Sequence, residues 1–240
     1  MEVHAHSHAE RKKWTHYLWE FLMLFLAVFC GFLAENISEH NVEKKKGEQY
    51  ILSFAGDLKK DTAQCDLSIP ELTETIRVLQ DLMPCFNTLK ENIHKTDCLK
   101  EIIIYSRGFK DFIYTDRTMQ QLKNAGGLRL IEDKEIADSI IDYDATVREM
   151  QIHQQVLENL QQITNNAHKS MIDFVHFDEL TLKGQTDELF LLSNDTAELN
   201  KYFNSINEFK RGLFGQLGWM HQIKNKAIRL LELLHQKGYK

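Results

Sequence analysis

From Leu18 to Ala34 the chain reads LWEFLMLFLAVFCGFLA, an apolar run with a single charged group, Glu20. An α-helix rises ~1.5 Å per residue, so Tyr17 to Ile37 covers roughly 30 Å, one hydrocarbon core. The rest of the sequence offers no second run of this kind. Beyond it, apolar positions recur at helical spacing. Ile37, Tyr50, Ile51, Phe54 and Leu58 oppose a polar face carrying Glu35, Glu39 and Glu43, which predicts that the apolar helix continues to about Asp61. Leu67, Ile69, Leu72, Ile76, Leu79, Leu82 and Met83 predict a second helix, with Pro70 in its first turn and Pro84 at its end. Phe86 to Phe112 is less periodic and predicts one or two shorter helices.

The clearest local signal runs from Tyr114 to Asp144. Thr115 or Asp116 can cap a short helix, Gly126-Gly127 can supply a left-handed C-cap, and Leu128, Leu130 and Ile131 form an apolar elbow before a helix restarts near Asp133. Its stripe is Ile136, Ile140, Tyr143, Val147, Met150 and Leu157, broken by Gln154 and resumed by Leu160, Ile163, Ala167, Met171 and Phe174. This predicts one helix of about forty residues, or two end to end, against an ordinary length of ~11–12. His176 to Asp195 reads as a connection with some order. A last long helix, capped by Asn194, Asp195 or Thr196, carries Leu199, Tyr202, Phe203, Ile206, Phe209, Leu213, Leu217, Met220, Ile223, Ala227, Leu230 and Leu234 at helical spacing. Gly212, Gly215 and Gly218 interrupt it, and interior glycines at that spacing predict a close helix contact or a kink.

The expected fold is all-α: an N-terminal transmembrane helix continuing into an elongated bundle with long antiparallel helices. The expected division is a short tail over 1–16, a membrane span over 17–37 and one helical domain over 38–240. An uncleaved span fits better than a signal peptide, because Gly31-Phe32-Leu33-Ala34-Glu35-Asn36 lacks a small-residue cleavage pattern and leads on as helix. Trp14, Tyr17 and Trp19 mark a headgroup-level belt, and Glu20, in the first turn, reads as an interfacial carboxylate within reach of water or the Arg11, Lys12, Lys13 cluster. That cluster favours a tail inside the cytoplasmic membrane and the main domain outside, against the opposing vote of Lys44, Lys45 and Lys46.

Net charge is −6 with 27% charged residues, which gives no nucleic-acid footprint. Two prolines and the lack of a Gly/Ser tract argue against disordered linkers and turn-rich β structure. Cys30 lies in the apolar run, leaving Cys65, Cys85 and Cys98. Outside the cytoplasm one pair could oxidise, Cys85–Cys98 or Cys65–Cys85, with buried free thiols as the alternative.

No phosphate-cradling, dinucleotide, zincin or hydrolase-elbow motif is present. Glu149 and His153 stand four apart, not in the Glu-x-x-His spacing of di-iron bundles. The glutamate stripe beside His40 reads as a solvated face. His4, His6 and His8 lack the fixed geometry of a metal site, and His153, His168, His176 and His221 are scattered. The expectation is therefore no catalytic, cofactor-binding or metal-ligating residues, and no enzyme.

EFLMLFLAVFCGFLAEN, Glu20 to Asn36, and LKNAGGLRLIEDKEIADSIIDYD, Leu122 to Asp144, together about a sixth of the chain, resemble an uncharacterised family of bacterial single-pass membrane proteins. The second segment looks like that family's short helix, Gly turn, Leu/Ile elbow and new helix, with Asp144 where a second tyrosine is common. The resemblance implies an N-terminal anchor and a helical domain beyond it, and supplies no site residues. The expected role is structural or accessory, in contact with the lipid bilayer and binding itself, as a homo-oligomer, or another envelope protein. The alternative is a ligand-sensing helical module that relays through a partner membrane protein, since a tail of about sixteen residues holds no signalling domain.

Overall fold

Sixty-nine residues without interruption, Trp14–Leu82, form the first helix, α1, roughly 100 Å long. The computed structural model describes residues 14–91, 97–183 and 191–239. After α1 come α2 (Cys85–Glu91), α3 (Asp97–Ser106), α4 (Arg117–Asn124), a 3-10 turn (Gly127–Leu130), α5 (Lys134–Met171), α6 (Phe174–Lys183) and α7 (Thr196–Gln236). Among the described residues there is no strand, only an isolated antiparallel bridge between Ile172 and Leu191. The fold is all-α.

The two helices expected on either side of Asp61 are one. Pro70 lies inside α1, where it removes an N–H from the helical ladder at a typical cost of ~3 kcal/mol. Packing outweighs that loss: Ile51, Phe54, Leu58, Cys65, Leu72, Ile76 and Leu79 form one continuous buried line across it. Pro84 does follow the end of the helix.

Four columns make the bundle. α7 runs antiparallel to α5, as the rungs Asp142–Lys226 (2.6 Å), His168–Tyr202 (2.9 Å) and Thr164–Ser205 (3.1 Å) show. It is also antiparallel to α1: Lys224 lies on Asp66 at 2.5 Å, while Phe86 of α2, just past the end of α1, meets Phe203 at 5.4 Å between ring centroids. The remaining column descends between α1 and α5 in pieces: α3, an extended strap from Arg107 to Asp116, α4 and the 3-10 turn. Side chains of the long helices satisfy the strap. Gln64 donates to the Ile113 carbonyl (3.0 Å) and accepts from the Ile113 amide (2.7 Å), Gln154 accepts from the Phe112 amide (3.3 Å), and Gln161 donates to the Arg107 carbonyl (2.8 Å). Gln154, which interrupts the apolar pattern of α5, thus holds the neighbouring column.

α5 and α7 begin at Asp133 and Asp195, each accepting from two amides of the following turn. α4 differs. Its N-cap position, Asp116, makes no side-chain cap bond, and the amide and hydroxyl of Thr118 donate instead to Asp57 of α1 at 3.2 and 2.5 Å. Gly126 takes the left-handed conformation, φ +64°. Ile163 departs from the expected core stripe: it is exposed, and Thr164 and His168 are the buried residues of that stretch. Cys85 and Cys98 form a disulfide that joins α2 to α3, Cα–Cα 5.8 Å, at the end of the bundle far from Trp14.

Gly47 is the first buried residue of α1, and a Cβ there would run into the Leu130 carbonyl, whereas Gly56 has nothing within 4 Å of that position. Gly56→Ala should therefore stabilise the fold by about 0.5–1 kcal/mol through helix propensity. Gly47→Ala should destabilise it, because backbone must shift. Thermal unfolding of the two variants beside the parent checks both signs.

Candidate functional site

The bundle begins only at Gly47, so α1 projects from it with no cover. None of the most apolar eighteen-residue window of the projection is buried, and Phe21, Leu24, Val28 and Phe32 are largely exposed. A core helix of a water-soluble domain would be buried; this one is long and apolar enough to cross a membrane, and among the described residues nothing covers its apolar window. Trp14, Tyr17 and Trp19 lie exposed on its first turns, and Glu20 meets His16 one turn earlier at 3.3 Å. Arg11, Lys12 and Lys13, like His4, His6 and His8, lie outside the described residues. At the base of the bundle Glu43 pairs with Arg129 (3.2 Å), His40 with Glu132 (3.7 Å), and Lys237 with Asp133 (2.8 Å) and Glu135 (3.2 Å).

The three glycines of α7 have different surroundings. A Cβ on Gly212 would come 2.8 Å from Leu157 Cδ1 of α5, and one on Gly215 2.6 Å from His153 Cε1; Gly218 faces open space. His153 uses the room by donating from Nε2 to the Gly212 carbonyl at 3.1 Å.

Two buried polar groups could be mistaken for catalytic ones. Ser106, His168 and Tyr202 form a chain, with Ser106 Oγ 2.8 Å from His168 Nε2 and Tyr202 OH 2.9 Å from Nδ1. The hydroxyl proton of Ser106 goes to the Ile102 carbonyl, so Nε2 donates to Ser106 and Nδ1 accepts from Tyr202. Burial holds the imidazole neutral, its pKa lowered to about 4 with help from Arg107. All three side chains are closed off from solvent, so the serine is no accessible nucleophile. The second group is on α1. Asp61 accepts from the Thr115 amide (3.1 Å) and Tyr143 OH (2.7 Å); burial raises its pKa, and those bonds draw it partly back. Asp144 nearby is also penalised by burial, yet Arg148 and Lys123, at 2.9 and 2.5 Å, outweigh that and hold its pKa low. Cys65 is buried and its thiol pushed up to about 12, so it is inert.

A cavity of about 400 Å³ opens between α1, the strap and Met220 of α7. Leu72, Phe109 and Met220 give it an apolar floor, Glu71 and Lys110 stand at its rim, and Ser68 lines it with a buried hydroxyl that has no hydrogen-bond partner. It holds no nucleophile–base pair. No group of three or more His, Cys, Asp or Glu side chains assembles for a metal among the described residues. The buried chains lay beyond sequence reading because the pairs that join their elements, such as His168–Tyr202 and Asp61–Tyr143, stand 34 and 82 positions apart, and the cavity because it brings Ser68 to Met220. A scan against protein-family models, a search of curated proteins and a search of solved structures each find no match to this chain.

A lowered histidine pKa leaves the unfolded chain with more bound protons between about 4 and 6.5. The contribution of His168 is therefore full above the unfolded value and lost as pH falls through that window. Asp61, raised, acts in the opposite sense, so the informative comparison is between variants. His168→Gln should remove an acid sensitivity on the order of 3 kcal/mol between pH 6.5 and 4. Denaturant unfolding across this range should show a shallower pH dependence than in the parent; an identical slope would place the acid sensitivity elsewhere.

Proposed function

We propose that this chain is a single-pass protein of the bacterial cytoplasmic membrane, anchored by residues 17–37. In this reading the tail lies inside, the bundle stands outside, and the protein serves as a non-enzymatic structural or accessory component that binds itself or another envelope protein. The observation that carries the reading is the bare apolar length of α1 beneath a well-packed bundle. Water cannot cover such a surface cheaply, and a bilayer can. The Cys85–Cys98 disulfide supports the outside placement, because paired structural cysteines persist in oxidising compartments. Arg11, Lys12 and Lys13 ahead of the span support the same orientation, and the resemblance to bacterial single-pass membrane proteins supports the membrane assigned.

A ligand-sensing module is the second reading, favoured by one observation. The cavity beside Ser68 lies on α1, the same helix that projects as the apolar span, so an occupant would press directly on the anchor helix. It would still need a partner membrane protein to carry the message.

Topology is the deciding measurement. In a Cys30→Ala background, Val175→Cys places a thiol on an exposed position of α6. A membrane-impermeant maleimide should label it in intact cells. In the parent, the Cys85 and Cys98 thiols should become alkylatable only after reduction. Labelling that requires lysis, together with freely alkylated Cys85 and Cys98, would reverse the orientation and redirect the search to cytoplasmic partners.

A further inference from the structure

The spacing that buries Tyr143, Val147, Met150 and Leu157 of α5 leaves a second apolar line on its opposite side. Ile141, Ile152, Val156 and Ile163 are 47%, 63%, 51% and 52% exposed. With Ala145 and Asn159, also exposed, they fall within about 60° of arc on a helix that turns ~100° per residue. The steps from Ile152 to Val156, Asn159 and Ile163 are four, three and four, the spacing of a coiled-coil seam. In its first third the line is bordered by Arg148, exposed and paired with Asp144, and by Glu149; beyond Met150 charge is scarce. From Met150 to His168 the one Asp, Glu, Lys or Arg is Glu158, although 27% of the chain is charged. Gln155 and Gln162 flank the seam with amides that donate and accept equally. From Ile152 to Ile163 an apolar line with neutral polar margins has the composition of an interface centre rather than of a solvated helix face.

We infer that this face of α5 docks, parallel and in register, against the same face of a second copy of the chain. The inference rests on the anchored reading above and names the partner left open there. Three arguments select the copy as occupant. A parallel pairing sets Ile152 against Ile152 and Asn159 against Asn159, whose amides can bond each other, and it buries no ionic group without a counterion. Spans in one bilayer orient every copy alike, which removes the antiparallel alternative. α1 and α5 each pack against α7 and the broken column, so they stand at opposite corners and the two spans would lie outside the pair without collision. The seam is small. About 33 Å of helix some 10 Å wide offers roughly 300–400 Å² per copy, short of the ~800 Å² of a free-standing interface. Confinement to the membrane plane supplies the missing association through effective concentration, so the pair forms in the bilayer and separates on dilution in detergent.

The test uses the full chain in its own membranes, in the Cys30→Ala background, oxidised with copper phenanthroline. Asn159→Cys and Ile152→Cys should give a disulfide-linked dimer; Glu208→Cys, on an exposed face of α7, should not. Adding Val156→Lys and Ile163→Lys to Asn159→Cys should lower the dimer about tenfold or more, with the circular dichroism spectrum unchanged. No dimer at either seam position in a chain that fractionates with membranes overturns the pairing and leaves the anchored reading intact. Equal cross-linking at Glu208 also overturns it, as random collision. A chain found in the soluble fraction overturns the anchored reading and, with it, the pairing as stated.

Discussion

The bundle depends on one interaction: the ten residues Arg107 to Asp116, outside any helix and with Phe112 buried, lie along the long helices, whose side chains take up part of their polar backbone. A helix pairs such groups from within; the strap draws on the side chains of its neighbours. Gln64 pairs both polar groups of Ile113, Gln154 and Gln161 reach it from α5, and Asp61 takes the Thr115 amide. Asp57, one turn before Asp61, then caps α4 from outside. Each bond names one rung of α1 or α5, so together they set the height of the broken column between the two long helices. That height in turn places the Gly126 turn and the Leu130 carbonyl against Gly47, where the packed part of α1 begins.

This explains where the sequence is readable. α5 and α7 announce themselves through long apolar stripes and Asp caps whose bonds span two or three residues. The strap does not, because the partners of Ile113 and Thr115 lie 49 and 54 positions away. Asp57 and Asp61 look like the polar side of a helix until the column they hold is known. Pro70 misleads for a related reason: its local penalty is visible in the sequence, while the packing that overrides it is tertiary. Ile163 misleads because two helical lines, one turned inward and one outward, carry similar side chains.

The same logic governs the candidate sites. Ser106, His168 and Tyr202 are residue types that perform catalysis when a cleft reaches them; here the core closes over them and their hydrogen bonds are mutually satisfied. Among the described residues Asp57 Oδ1, Ser68 Oγ and Gln216 Oε1 have unmet demands, and of these the Ser68 hydroxyl borders the cavity. The surfaces left open are the bare apolar length of α1, the exposed apolar line of α5, and a charged base where Lys237 ties the start of α5 to the end of α7.

The unbroken course of α1 has a mechanical consequence. From Ile37 to Leu82 the helix extends roughly 68 Å, and it is itself one wall of the bundle. The anchor and the body therefore share a single lever arm with no joint between them. If α1 is anchored as proposed, a change of tilt of about 10° at a bilayer, of the size that hydrophobic mismatch produces, would carry the distal tip sideways by roughly 12 Å. Under the proposed anchoring, membrane thickness would set how far the tip of this protein reaches along the surface.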